Sequence, residues 1–413
     1  MSMTGNEVVV VGAGAVGLCA ALFLQAEGCT VTIVDRAEPG RQTSSGNAGI
    51  ISVQSTEPTG TPEVLRRLPA LLADSQSPVR VRRRDLPWTA SWLVAFAMAC
   101  TSARSAAAAR AQIALCSRSG SAWRILLQRT GADDRVTWPG WLKLAETPRE
   151  AASLAAGRAA LEAAGHDHAW LDAAGVAELE PALSPRFAAG LWLKANGQID
   201  RPHLLLSHFT ERFVADGGRV ERDDVRDIRP DAEGVDVFGA RRSYRADQVV
   251  LAAGPWAASL ARRLGCRVPL VAERGYHLML PQRTALIGRP LYAAGRGFVL
   301  APMGPFLRLA FGAEIARLAA PADERRIRAL LPVVRRWLPA ADDRVESSWL
   351  GARPSTPDSL PVIGPSPRSN RVILAFGHNH LGLTQAPITG RLVADLARGR
   401  TPEVDLVPFR AAR

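Results

Sequence analysis

Three short stretches carry residue types and spacings that could do chemistry. Near the N-terminus, VGAGAVG sets Gly12, Gly14 and Gly17 in G-x-G-x-x-G spacing around Ala13, Ala15 and Val16, and Asp35, followed by Arg36, closes the next apolar run. The first glycine permits a tight turn, the second lets backbone approach a pyrophosphate, and the third allows close helix packing, while an acid about 20 residues on accepts ribose hydroxyls. Downstream, GARPSTPDSLPVIG frames Arg353 between Gly351 and Pro354. An arginine with its backbone pinned in this way can hold its fork toward a carboxylate. Near the C-terminus, FGHNHLGLT places His378 and His380 one residue apart in a glycine-bracketed turn. The pair could be a metal site, an acid/base pair, or a loop used through its backbone.

The elements that must position these groups follow from local patterning. Val8–Val11 is a continuous β-branched run of the kind buried in a parallel sheet. The glycine turn follows, then helical apolar spacing over Leu18–Glu27 and a second strand over Thr30–Val34. Strand, turn, helix, strand and terminal acid in register predict a dinucleotide site; the alternative for Asp35 is a surface acid at a strand end. The loop TSSGNAGI (Thr43–Ile50) favours FAD over NAD. Its small residues Gly46, Ala48 and Gly49, ahead of Ile50, can pass close to a pyrophosphate and a flat ring, with Ser44, Ser45 and Asn47 as donors. LAAGPW ends a later strand in small residues, Ala253 and Gly254 ahead of Trp256, as a chain must where it crosses near a cofactor.

Residues from about Pro62 to Gly165 read as alanine-rich helix, with Trp88, Trp92 and Phe96 as one apolar stripe for packing against neighbouring helices. Trp141–Ala145 alternates like a strand. His203–Ala215 is a helix opened by Pro202, and Val225–Val250 is a β-meander with a turn at Asp231–Gly234. Arg274–Leu280, Gly297–Ala301 and Leu307–Gly312 read as strands of a second sheet, and Asp323–Leu338 as an amphipathic helix. A last strand, Val372–Ala375, precedes the glycine turn and a helix over Pro387–Leu396.

Composition narrows the function classes. No apolar run approaches the ~20 residues that span a bilayer, and no export signal is visible, so a cytoplasmic protein is expected. Five scattered cysteines with no C-x-x-C argue against a disulfide framework or a zinc site. The net charge of +12 is spread along the chain, and only RVRRR (Arg80–Arg84) is dense. Without aromatic interleaving or finger spacing, nucleic acid is not expected. Peripheral contact with an anionic inner-membrane surface stays open.

The opening VVVVGAGAVG, the TSSGNAGIIS loop, GARPSTPDSLPVIG and GHNHLGLT occur in an order that resembles the FAD-dependent D-amino-acid oxidase superfamily, over nearly the whole chain. The similarity is greatest to bacterial D-amino-acid dehydrogenases, D-hydroxyproline dehydrogenases among them. The resemblance implies an α/β fold: a Rossmann-like FAD-binding domain over 1–60, 196–262 and 347–413, interleaved with an α+β substrate domain over 61–195 and 263–346 that carries a helical insertion.

It also implies site roles. Arg353 would bind the substrate carboxylate. Leu381, Gly382 and Leu383 would offer backbone groups to the flavin and Thr384 would bond its O2 edge. His380 would act through its carbonyl, with its ring, where relatives carry glycine, as a pocket wall. Tyr276 resembles the substrate-domain tyrosine of the family, with His277 on the opposite face as its rival. Val225 would give its backbone to the adenine. FAD would be non-covalent, since no cysteine lies near the turn, and no metal is expected.

The implied reaction is oxidation of a D-amino or cyclic D-imino acid by hydride transfer to the flavin, with a quinone or other carrier as electron acceptor. A glycine- or sarcosine-type oxidase using oxygen, the flavin subunit of a larger membrane-associated complex, and a NAD-dependent enzyme are the alternatives.

Overall fold

The structure is a computed structural model that describes residues 6–184, 186–342 and 344–413. Among these, a six-stranded sheet is built on Glu7–Val11, flanked on one side by Thr30–Asp35 and on the other by Gln248–Leu251, all parallel. Arg219–Arg222 extends one edge, and Ser369–Phe376 with antiparallel Val362–Ser366 extends the other. Val8, Val9, Val10 and Val11 are all buried, which is why that strand reads as a solid apolar run rather than an alternation. Helix Ala15–Ala26 and the C-terminal helix Gly382–Ala397 pack side by side over this sheet, and Gly390 lets the second come close to the backbone of Cys19. The strands of this sheet all fall within 1–60, 196–262 and 347–413.

A second, larger sheet orders Ser347–Ser355, Val271–Pro281, Phe306–Ala316, Phe298–Met303, Leu291–Ala293, Trp141–Ala145, Ala189–Leu193 and His168–Leu171, with Val79–Val81 paired to Phe306–Ala316. The Arg353 strand, Ser347–Ser355, thus pairs with Val271–Pro281 in this sheet although its residues follow the 347 boundary. The expected meander is present as Asp227–Pro230, Val235–Phe238 and Ser243–Ala246, with Gln248–Leu251 passing on into the first sheet.

Three local expectations change. The Trp88–Phe96 stripe splits: Trp92 and Phe96 stack 5.1 Å apart in a buried cluster, while Trp88 is 69% exposed under the Arg317 guanidinium. A four-residue step overshoots one helical turn by about 40°, so a stripe at that spacing drifts round the helix. The expected Asp323–Leu338 helix is two short ones, Arg325–Arg328 and Leu331–Trp337, interrupted just before Pro332, which cannot donate to the preceding turn. The last helix starts at Gly382, not at Pro387, and carries Pro387 inside it. The Thr384 carbonyl near that proline takes the Trp123 indole N–H at 3.1 Å.

No single helix among the described residues is long and apolar enough to cross a membrane; Arg83–Ala99 and Ser102–Thr130 reach that composition only as a pair bent by 91°.

Candidate active site

One cavity of about 900 Å³ runs between the two sheets, at the upper end of small-molecule sites. At its dinucleotide end Gly12 has φ +111°, and a Cβ there would stand 2.5 Å from the Ala252 carbonyl. Gly17 lies off the cavity, where a Cβ would strike the Gly12 carbonyl: it serves helix packing. The Ala15–Ala26 helix has neither a side-chain cap nor an acid in its first turn. Ser44 Oγ takes the Ala15 amide at 3.0 Å, and the rest of the turn faces the cavity through Gly14 and Val16. An uncapped helix N-terminus of this kind suits a phosphate. Asp35 accepts from the Ala13 amide at 2.7 Å and the Ala37 amide at 2.8 Å. Arg36 lies 4.2 Å over the Trp256 ring, and Val225, Ala253 and Gly254 complete this end.

The Thr43–Ile50 loop crosses the middle of the cavity. Gly46, Asn47, Ala48 and Ile50 line it; Ser45 is turned outward onto the Gln42 carbonyl, and Gly49, at φ +77°, is pressed against the Ile199 carbonyl. Arg308, which sequence reading missed, fixes this loop by donating to the carbonyls of Ser45 and Asn47. It is buried with no carboxylate partner among the described residues, and burial pushes it down to about 10. His277 stacks on Trp349 at 5.1 Å and bonds the Gly46 carbonyl through Nδ1 at 3.2 Å. Gly46 and Gly351 both leave room for the Trp349 ring. Burial, reinforced by the Arg308 charge, pushes His277 down to about 3, so its ring is neutral.

The C-terminal turn is held by the residue between its histidines. Asn379 takes φ +50°, accepts from the Thr356 amide at 2.8 Å, and donates to the Gly377 carbonyl at 2.8 Å. His378 is buried, bonded to Thr389 Oγ1 at 2.9 Å, and burial pushes it down to about 3. His380 points the other way, into the cavity. Leu381, Gly382, Leu383 and Thr384 line the cavity beside it, at the uncapped start of the last helix. Thr384 Oγ1 accepts from the Ser52 amide at 2.9 Å.

Arg353 and His380 meet on a third residue that sequence reading did not single out. Glu273 Oε1 receives Arg353 Nη1 at 3.0 Å and His380 Nε2 at 2.6 Å, and Oε2 receives Ser355 Oγ at 2.9 Å. Burial alone would raise this carboxyl, but the His380 and Arg353 charges and the Ser355 bond outweigh it and hold it at about 2. Arg353 Nη1 also donates to the Gly312 carbonyl at 2.9 Å, and Gly275 is bare where a Cβ would overlap the guanidinium.

Tyr276 borders the same cavity, but its hydroxyl is committed to protein partners. It donates to Glu314 at 3.0 Å and accepts from Arg274 at 3.2 Å and from the Asp323 amide at 3.1 Å. Lys143, Trp141 and Tyr292, also missed, line the same cavity. No group of His, Cys, Asp and Glu among the described residues has the geometry of a metal site.

These residues fit FAD. A phosphate-ready helix start beside the Asp35 carboxylate, a small-residue crossing loop, and a second uncapped helix start share one cavity.

The comparisons agree. The model of the FAD dependent oxidoreductase family, DAO, matches residues 7–396. A D-amino-acid oxidase of Bradyrhizobium diazoefficiens is 31% identical, over 99% of this chain and 99% of its own. A D-amino acid dehydrogenase of Chromohalobacter salexigens is 29% identical, over 98% of this chain and 99% of its own. Among solved structures, glycine oxidase from Geobacillus kaustophilus superposes with a TM-score of 0.79 at 24% identity, covering 99% of both chains. L-proline dehydrogenase from P. horikoshii superposes with a TM-score of 0.76 at 18% identity, covering 99% of this chain and 97% of its own, which supports the shared fold. With a family model spanning almost the whole chain and relatives aligned end to end, this chain belongs to the DAO family of FAD-dependent oxidoreductases.

Proposed function

We infer that the chain oxidises D-amino acids or cyclic D-imino acids, D-hydroxyproline among them, at the bond between the α-carbon and nitrogen. The observation that carries this reading is Arg353, a side chain 26% exposed on the cavity wall whose bonds to the described residues run through Nη1. Its other edge is left to receive a substrate carboxylate. The His380 carbonyl, on the neighbouring turn, would accept from the substrate amine. Two fixed substituents leave the α-hydrogen a single direction, and so select one enantiomer. When bound, FAD supplies the two-electron oxidant. Loss of the α-hydrogen with its electron pair from the neutral amine leaves an iminium, which gives up an N–H proton to water; the imine hydrolyses in solution or, if cyclic, departs whole.

Anaerobic mixing of the purified yellow protein with D- and L-amino acids, D-hydroxyproline, glycine and sarcosine tests this. D-substrates should bleach the flavin band near ~450 nm. Bleaching by glycine or sarcosine alone would instead assign the amine-oxidase alternative. The electron acceptor is taken to be a quinone or carrier, and stoichiometric peroxide formed with oxygen alone would overturn that.

A membrane-side location for the acceptor has support of its own. Trp88, Val94 and Met98 are 69%, 62% and 52% exposed on the Leu86–Ala99 helix, next to exposed Arg83 and Arg84. Co-sedimentation with anionic but not zwitterionic vesicles is expected if this face docks peripherally. No sedimentation with either would leave a carrier in solution.

A further inference from the structure

Lys143 and Tyr292 are in-register partners on adjacent parallel strands, so their side chains stand together on one face of the large sheet. Val299 pairs with Tyr292, and Ala310 with Val299. Two residues beyond Ala310 lies Gly312, whose carbonyl holds Arg353 at 2.9 Å. All of these line the same cavity. A floor of small and apolar residues therefore runs from the Lys143 ammonium to the Arg353 guanidinium.

Lys143 has no ion-pair partner among the described residues. No hydrogen bond or ion pair joins it to any described residue, and its ammonium rests 5.1 Å from the centre of the Trp141 ring. A cation–π contact holds an ammonium in place without neutralising it. The buried indole N–H of Trp141 also lacks an acceptor among the described residues. Burial lowers the Lys143 pKa, and only the exposed Glu57 opposes this from a distance. A methionine or leucine would fill the same wall without the cost of an uncompensated charge. What an unpaired cation on a cavity wall lacks, a ligand anion supplies.

We propose that Lys143, flanked by Trp141 and Tyr292, is a second anion subsite, and that the preferred substrates carry a side chain ending in a carboxylate or comparable anion. This rests on the reading that Arg353 takes the α-carboxylate. Three strand spacings of ~4.8 Å separate the Lys143 strand from the Gly312 strand, so a longer side chain should reach the subsite better than a short one.

The test compares D-aspartate, D-glutamate and D-2-aminoadipate with D-asparagine, D-glutamine and D-norleucine on the FAD-loaded protein. At least one acid should exceed its neutral counterpart in kcat/KM by about 10- to 100-fold, the range of a charge-assisted bond. In Lys143→Met that ratio should fall to about one, and Lys143→Arg should restore part of it. Acids no better than their counterparts, or a ratio unchanged in Lys143→Met, would overturn the subsite.

A binding arm separates this proposal from the wider reading. Adipate should perturb the flavin spectrum at lower concentration than hexanoate in the wild type, but not in Lys143→Met. If no D-amino acid reduces the flavin, the D-amino-acid reading fails, and the subsite stands only if adipate still discriminates. Equal binding of adipate and hexanoate by the wild type would remove it in every case.

Discussion

The Arg353 guanidinium stands 3.0 Å from Glu273, a buried carboxylate that also receives the His380 ring. The Arg353 cation therefore already faces a counter-charge on the cavity wall. That arrangement holds the guanidinium in one place at the cost of some attraction, and it makes the three side chains a unit.

Arg353→Ala should raise KM for a D-amino acid by about 100-fold or more while the protein stays yellow, since carboxylate anchoring is lost and the dinucleotide end is untouched. Gly275→Ala should act in the same direction more weakly. A methyl there overlaps the flexible end of Arg353, so the fold stays and the guanidinium moves. Steady-state kinetics with flavin content measured on the same samples checks both.

Glu273 makes stability depend on pH in a defined window. Its carboxyl is held at about 2 against an ordinary 4.5, so the folded state keeps the charge that the unfolded chain gives up first. The stabilisation is fully present above pH 4.5 and is lost as pH falls toward 2. Glu273→Gln should unfold at a lower temperature than the wild type at pH 7, with the gap narrowing across that window. Thermal melts at successive pH values read this directly.

The two buried histidines act in a higher window. His277 and His378 are held neutral, each pushed from 6.5 to about 3 by burial. Unfolding lets each take up a proton below 6.5, so stability falls as pH drops from 6.5 toward 3. Replacing either by asparagine should flatten the melting temperature over that range, whatever it does at pH 7. A slope identical to wild type would show that the ring is already protonated in the fold.

Asp35→Ala should release FAD on dilution, because Asp35 shapes the glycine turn through the Ala13 amide and faces the cavity where a ribose would lie. Gel filtration followed by the ratio of flavin to protein absorbance measures the loss.

The dinucleotide half was legible because its parts are neighbours in the chain. Glycine spacing, the uncapped helix and the acid of Asp35 all lie within Gly12–Asp35, where local sterics dictate the turn. Arg353 was legible for a related reason, since Gly351 and Pro354 pin its backbone. Asn379, set between His378 and His380, was not singled out, although asparagine is a familiar occupant of a left-handed turn.

The substrate half was not open to the same reading. Whether Tyr276 or His277 faces the cavity turns on strand parity, and the register of Val271–Pro281 with Phe306–Ala316 shifts between Arg274 and Tyr276. Such an irregularity re-aims the backbone, and it lies beside Gly312, whose carbonyl accepts from Arg353. Glu273 becomes a partner of Arg353 only because two strands 80 residues apart pair in register. Lys143 meets Tyr292 by the same means. By itself the sequence determined the cofactor-binding motif and the candidate anion-binding arginine, because backbone conformation there is set by adjacent residues. Which charges surround that arginine, and what lies across the cavity from it, was decided only by the tertiary structure, because sheet register is a property of strands distant in the chain.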